Sequence, residues 1–175
     1  MQLAPSLSEF LVSYPNIDPE LSITDRVVDL VTEHADITIR AGPVVDVSLS
    51  ARKIAEFERT ICAAPSYLAQ NGVPRTPAEL ANHLCIVMTI PALSRRPFVT
   101  NGGIGYAEIA PRVVTDSGET ALRLALRGAG IVRLSDIILS DPIRRGLLVP
   151  VLTDVHHVEP IPLSALYLPG RHRLP

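Results

Sequence analysis

The stretch Ile23-Thr-Asp-Arg-Val-Val-Asp-Leu-Val-Thr-Glu-His-Ala-Asp-Ile-Thr-Ile-Arg40 decides the fold class. Val27, Val28, Leu30 and Val31 recur at helical spacing and make one apolar stripe. Thr24 or Asp25 supplies the short oxygen-bearing side chain that accepts a free first-turn N–H. Ala35-Asp36-Ile37-Thr38-Ile39 then alternates as a half-buried strand does. Ahead of the helix, Ile17 to Ile23 has the same period of two and reads as another strand. Strand, helix and strand with short joints form a βαβ unit, which demands a parallel pair and a right-handed crossover. Ligands of such sheets bind outside the carboxyl ends of the strands. Here those ends are Thr24-Asp25 and Arg40-Ala41-Gly42.

The rest of the chain is compatible with this start. Its 175 residues suffice for one domain or two small lobes, and 47% apolar content supports a core. Sixteen basic against 18 acidic residues leave a net charge of −2, so there is no basic field to hold nucleic acid. Cys62 and Cys85 both lie in apolar runs, which predicts buried thiols and fits a reducing cytoplasm. No run of 18 apolar residues occurs, and the first residues lack a basic segment followed by an apolar core.

Residues 3–14 read as a helix with Leu3, Leu7, Phe10 and Leu11 on one face, ended at Tyr14-Pro15. Residues 49–63 are extended as far as Pro65, where Ser66 caps a short helix closed by Asn71-Gly72. Thr76 caps a second short helix with Pro77 in its first turn. Cys85 to Ile90 is a buried strand, and Asn101-Gly102 marks a hairpin within 91–105. Asp116 and Glu119 have capping-box spacing at the start of the strongest helix, which Gly128 closes. Ile131–Leu134 is a strand, Asp136–Arg145 a helix interrupted at Pro142, and Leu163–Leu168 a last strand. Two α/β blocks emerge, with the final strand returning to the first. The expected architecture is two Rossmann-like α/β lobes joined by crossings near 58–62 and 158–164, a ligand-clamp arrangement. Residues 1–60 plus 159–175 form lobe one, and 61–158 form lobe two.

Several motifs point to no chemistry. Gly128-Ala-Gly130 follows a helix and precedes a strand, the reverse of a dinucleotide loop. His156-His157 lacks a metal-binding companion motif and reads as a pair of polar side chains facing solvent, so no metal or cofactor is expected. No Gly-x-Ser-x-Gly occurs and no carboxylate pair is evident, so no catalytic set is assigned. Thr24, Asp25, Arg40, Gly42, Asp116, Ser117, Gly118 and Ser135 differ, because each falls where a strand hands over to a helix or loop. Free N–H groups, hydroxyls and a guanidinium there suit a small organic anion, whereas Asp25 and Asp116 repel one unless they turn away to cap their helices, so a neutral or cationic effector is the alternative. Capping by Thr24, Asp116 and Ser117 and ion pairing by Arg40 are compatible with that role.

The segments LAPSLSEFLVSYPNI, LSITDRVVDLVTEHADITIRAG, ARKIAEFERTICAAPSYLAQNGVPRTPAELANHLCI, VVTDSGETALRLALRGAGIVRLSD and GLLVPVL, in that order, resemble the effector-binding domain of LysR-type transcriptional regulators. The resemblance covers nearly the whole chain. It implies a fold like a type 2 periplasmic binding protein, with an inducer site between two lobes and a first lobe here incomplete. It further implies a cytoplasmic bacterial regulator acting as a homodimer or homotetramer and reaching DNA only through a separate winged helix-turn-helix. The alternative is a solute-binding protein or same-fold enzyme that uses the cleft directly; the lack of a secretion signal and of a catalytic set favours the regulator, not an enzyme. That DNA-binding part, the first strand of lobe one and the helix after the last strand have no counterpart in these 175 residues. Arg95-Arg96-Pro97-Phe98 stands where many relatives carry a tryptophan.

Overall fold

The computed structural model describes residues 3–24, 30, 32–44, 48–89, 96–107, 109 and 111–169. Helix α1, Leu3–Ser13, forms as its periodicity predicts and stops at Tyr14-Pro15. Its apolar side is uncovered: Phe10, Leu11 and Val12 are exposed, and the Phe10 ring meets Tyr14 at 4.8 Å. Residues 17–24 are not the expected strand. They are exposed throughout and have no regular structure, because a period-two pattern becomes a strand only beside a ladder partner. Asp25–Asp29 and Val31, the body of the expected helix, lie outside the described residues. At the C-terminal end Ala35 N–H donates to Leu30 O at 3.1 Å and His34 has φ +53°, the bond and left-handed residue with which helices close.

Strand β1, Ile37–Ala41, is one edge of a three-stranded sheet with β10, Ile161–Tyr167, at its centre and β2, Ser50–Phe57, at the other edge. Both pairings are antiparallel, so the expected parallel partner of β1 is replaced by a strand from the far end of the chain. Period two specifies which face of a strand is buried, not which neighbour it takes.

A single residue, Glu58, separates β2 from β3, Arg59–Ala63, which belongs to a larger sheet. There β3 lies between β8, Val132–Ser135, and β9, Val149–Pro150. Strand β4, Cys85–Met88, joins this group through a parallel bridge from Cys85 to Ile131, and pairs in parallel with β7, Pro111–Thr115. The hairpin of β5, Pro97–Thr100, and β6, Gly103–Tyr106, turns at Asn101-Gly102 as expected. Alternation divides the core in two. Ile61, Ala63, Cys85 and Val87 pack with Tyr67, Leu80 and Phe98 on one face, while Cys62, Ala64, Ile86 and Met88 pack with Ala121, Ala125 and Leu139 on the other. Both cysteines are buried free thiols, and burial pushes the Cys62 thiol up to about 12 against the opposing charge of Arg96.

Two helix starts shift from the sequence reading, the first by two residues and the second by one. Helix α2, Pro65–Asn71, is capped by Ala64 with Pro65 in the first turn, so Ser66 lies inside the helix. Helix α3, Gly118–Leu126, is capped by Ser117, whose Oγ accepts Thr120 N–H at 3.2 Å, and not by Asp116. The 3-10 helix Pro77–Asn82 starts after Thr76 as expected, with Glu79 accepting from Arg75 N–H and Thr76 Oγ1. Helix α4, Asp136–Arg144, continues through Pro142 instead of breaking there.

Candidate functional site

Strands β4, β7 and β8 run the same way, so their carboxyl ends, Met88, Thr115 and Ser135, share one edge of the larger sheet. Thr89 N–H donates to Thr115 O at 2.9 Å, and Ser117 N–H to Thr115 Oγ1 at 3.1 Å, which binds the start of α3 to this edge. Helix α4 begins there too, directly after Ser135. Two positive helix ends therefore point at one strip of surface. The link between the sheets is fastened to the same place: Asp136 N–H donates to Glu58 O at 2.9 Å and Glu58 N–H donates to Asp136 Oδ1 at 3.2 Å.

Of the residues singled out in the sequence, Asp116, Ser117, Gly118 and Ser135 lie together on this edge. Asp116 is exposed, Ser117 and Gly118 are half-buried at the helix start, and Ser135 is half-buried with no cap bond from its side chain. Arg40 and Gly42 lie on the smaller sheet. Arg40 stands opposite Ser164, so it shares the face that buries Ser164 and Leu166. Gly42, at φ +105°, donates its N–H to Pro162 O at 2.8 Å and extends the β1–β10 ladder by one bond. Thr24 is exposed at the end of the irregular segment, and Asp25 lies outside the described residues.

The edge also carries residues that the sequence did not single out. Arg59 pairs in register with Ser135, and Arg133 with Ile61, so both arginines occupy the same face of the β3–β8 pair. Arg133 is buried, and its Nε donates to Nε2 of buried His156 at 3.1 Å. His156 is therefore an interior group, not the surface residue that its sequence context suggested. Burial lowers its pKa to about 4, reinforced by the charges of Arg133, Arg96 and His157. Burial likewise lowers Arg133 to about 10, with the charges of Arg59 and Arg96 acting in the same direction and Glu159 opposing. Arg96 is buried as well, with Nη2 donating to Ile86 O at 3.4 Å and to Ile131 O at 3.3 Å, and Nη1 to Cys85 Sγ at 3.5 Å. It thus ties β4 to the start of β8. The second link between the sheets, residues 157–160, holds Glu159, which meets His157 Nε2 at 3.2 Å. Among the described residues no group of three or more His, Cys, Asp or Glu is placed to hold a metal. No described helix is long and apolar enough to cross a membrane.

Comparison with known proteins agrees with this fold. The family model of the LysR substrate binding domain matches residues 1–175. The HTH-type transcriptional regulator CrgA of Neisseria meningitidis serogroup B is 33% identical over 165 residues, covering 94% of this chain and 55% of the relative. The HTH-type transcriptional regulator YhjC of Escherichia coli K12 is 34% identical over 98% of this chain and 58% of its own length. The chain therefore spans little more than half the length of these relatives. Among solved structures, the CrgA regulatory domain from Neisseria meningitidis superimposes with a TM-score of 0.90 at 32% identity, covering 98% of this chain and 84% of that one. The AphB regulatory domain of Vibrio vulnificus gives 0.79 at 25% identity, over 94% of this chain and 83% of that one. A full-length family match, these relatives and a shared fold place the chain in one family: it belongs to the LysR substrate-binding domains, with their type 2 periplasmic-binding-protein-like fold.

Proposed function

We propose that the chain is the effector-sensing and self-association module of a bacterial LysR-type regulator, and that it binds a small organic anion between its two lobes without catalysing a reaction. In this reading residues 1–60 plus 159–175 form one lobe and 61–158 the other, working in the cytoplasm and acting on DNA through a separate helix-turn-helix region. The observation that carries it is the convergence of two helix starts, at Gly118 and Asp136, on the sheet edge where the Glu58 link is fastened. Helix N-termini favour negative charge, and a ligand there would touch the segment that connects the lobes. Thr24, Asp25, Arg40, Gly42, Asp116, Ser117, Gly118 and Ser135 are the proposed contacts, with Arg40 supplying the guanidinium from the first lobe.

Calorimetry with a panel of aromatic and aliphatic carboxylates tests this. The best ligand is expected to bind Arg40→Ala about thirtyfold more weakly, a loss of about 2 kcal/mol. An unchanged affinity in Arg40→Ala would mean that this side chain only packs beside Ser164.

Self-association rests on a separate observation. The α1 surface of Phe10, Leu11 and Val12, with Ile17, Leu21 and Ile23 beyond it, is exposed apolar area of the kind that a partner subunit covers. Helix α3 offers a complementary groove lined by Leu122 and Leu126 between Glu119, Arg123 and Arg127. An antiparallel pairing of α1 with the α3 of a second copy satisfies both surfaces twice. Light scattering at high micromolar concentration is expected to report a dimer or larger, and Phe10→Glu to shift it toward monomer. A wild-type monomer throughout would contradict the proposal.

A further inference from the structure

Arg59 differs from the other arginines around it. Arg96 and Arg133 are buried and hydrogen-bonded, whereas Arg59 is half-buried at the rim. Its guanidinium lies 6.0 Å from the centre of the Phe57 ring, and among the described residues no carboxylate stands within ion-pair distance of it. The carboxylate whose charge reaches Arg59 is Glu159, which sits on the second link and contacts His157 instead. Asp136, next to Ser135, is turned to cap Glu58 N–H. The charges of Arg59 and Arg96 both act on Arg133, and Glu159 is the carboxylate that opposes them there. A partly desolvated arginine in register with Ser135, on the face it shares with Arg133, suits a carboxylate, whose planar oxygens match its fork in charge and shape.

We infer that Arg59 is the anion-recognising residue of the second lobe, and that Glu159 is the internal carboxylate with which a bound ligand competes. The inference rests on the proposed cleft and adds a residue and a competitor to it. Position makes the competition consequential. Arg59 immediately follows the first link and Glu159 lies within the second, so an anion on Arg59 exchanges an interaction between the two links for one with the ligand. A neutral ligand of the same shape leaves that interaction in place and is rejected.

Acetate and acetamide are the probes, with the Arg59 Nε–H resonance followed by NMR on the full 175-residue chain. Acetate is expected to shift this resonance saturably, together with the Ser135 and Asp136 amides, and acetamide is not. Arg59→Gln should weaken the acetate response of those amides at least tenfold, with Arg59→Lys in between. Glu159→Gln should move it the other way, about two- to fivefold tighter, because a competing charge is removed. Opposite signs from two folded variants cannot come from general destabilisation. The inference is overturned if acetate shifts Arg59 no more than exposed Arg112, or if Glu159→Gln weakens binding. If organic acids from the carboxylate panel bind wild type and Arg59→Gln equally, the cleft reading stands and the role of Arg59 falls. If none of them binds at all, both fall.

Discussion

Gly130→Ala is expected to remove about 4 kcal/mol of stability, a large part of the 5–15 kcal/mol that a domain of this size possesses. Gly130 connects α3 to β8 with φ +153°, a region that side chains rarely enter, and a Cβ built there lies 2.4 Å from the Leu84 carbonyl oxygen. That oxygen cannot retreat, because it accepts Ile131 N–H at 2.8 Å, the bond that begins the pairing of β8 with β4. Backbone strain of about 1–3 kcal/mol and overpacking of about 1–3 kcal/mol act together. Gly146→Ala is the control: its φ of +68° imposes strain alone, since nothing lies within 4 Å of the new carbon. It should cost only about 1–2 kcal/mol. Urea midpoints of the two variants are the measurement, and equal losses would show that the Leu84 approach does not govern this joint.

The second large effect is on pH dependence. Nε2 of His156 must keep its lone pair to accept from Arg133, so the folded state holds the ring neutral down to about pH 4, while an ordinary histidine takes its proton near 6.5. The unfolded chain therefore binds this proton first as pH falls. The stabilisation is fully present above pH 6.5 and is lost progressively down to about pH 4. A displacement of that size corresponds to about 3 kcal/mol at most. The window between pH 5 and 6.5 is diagnostic, since most carboxylates titrate below it. There the wild-type stability should fall with a slope approaching one proton, and His156→Gln, which retains an acceptor for Arg133, should flatten it. A His156→Gln variant with the wild-type slope would assign the dependence to another group.

Local information carried part of the candidate site. Ser117 and Ser135 were legible because each stands at a junction where a strand pattern gives way to a helix pattern, and such junctions lie at the carboxyl edge of a parallel sheet. Arg59 was not legible for the converse reason. It opens a strand, and it reaches that edge only because β3 runs antiparallel to β8. Arg133 and His156 are 23 residues apart, and nothing in either neighbourhood indicates that they meet.

Elements whose signals are local were legible from the residues alone: α1 from its apolar spacing, the β5–β6 hairpin from Asn101-Gly102, the buried β4, and the end of α3 at Gly128. Membership in the family was legible too, since ordered motifs along nearly the whole chain are a property of sequence alone. Tertiary structure decided which strands became neighbours. Ile17–Ile23 alternates as well as Ile37–Ala41 does, yet only the latter lies beside β10 and becomes a strand. A helix closes its hydrogen bonds within its own few residues, whereas a strand must find another strand, and so must a buried charge its partner. Those partners lie far along the chain, as Arg40 to Ser164 and Glu58 to Asp136 show, and only the folded chain brings them together.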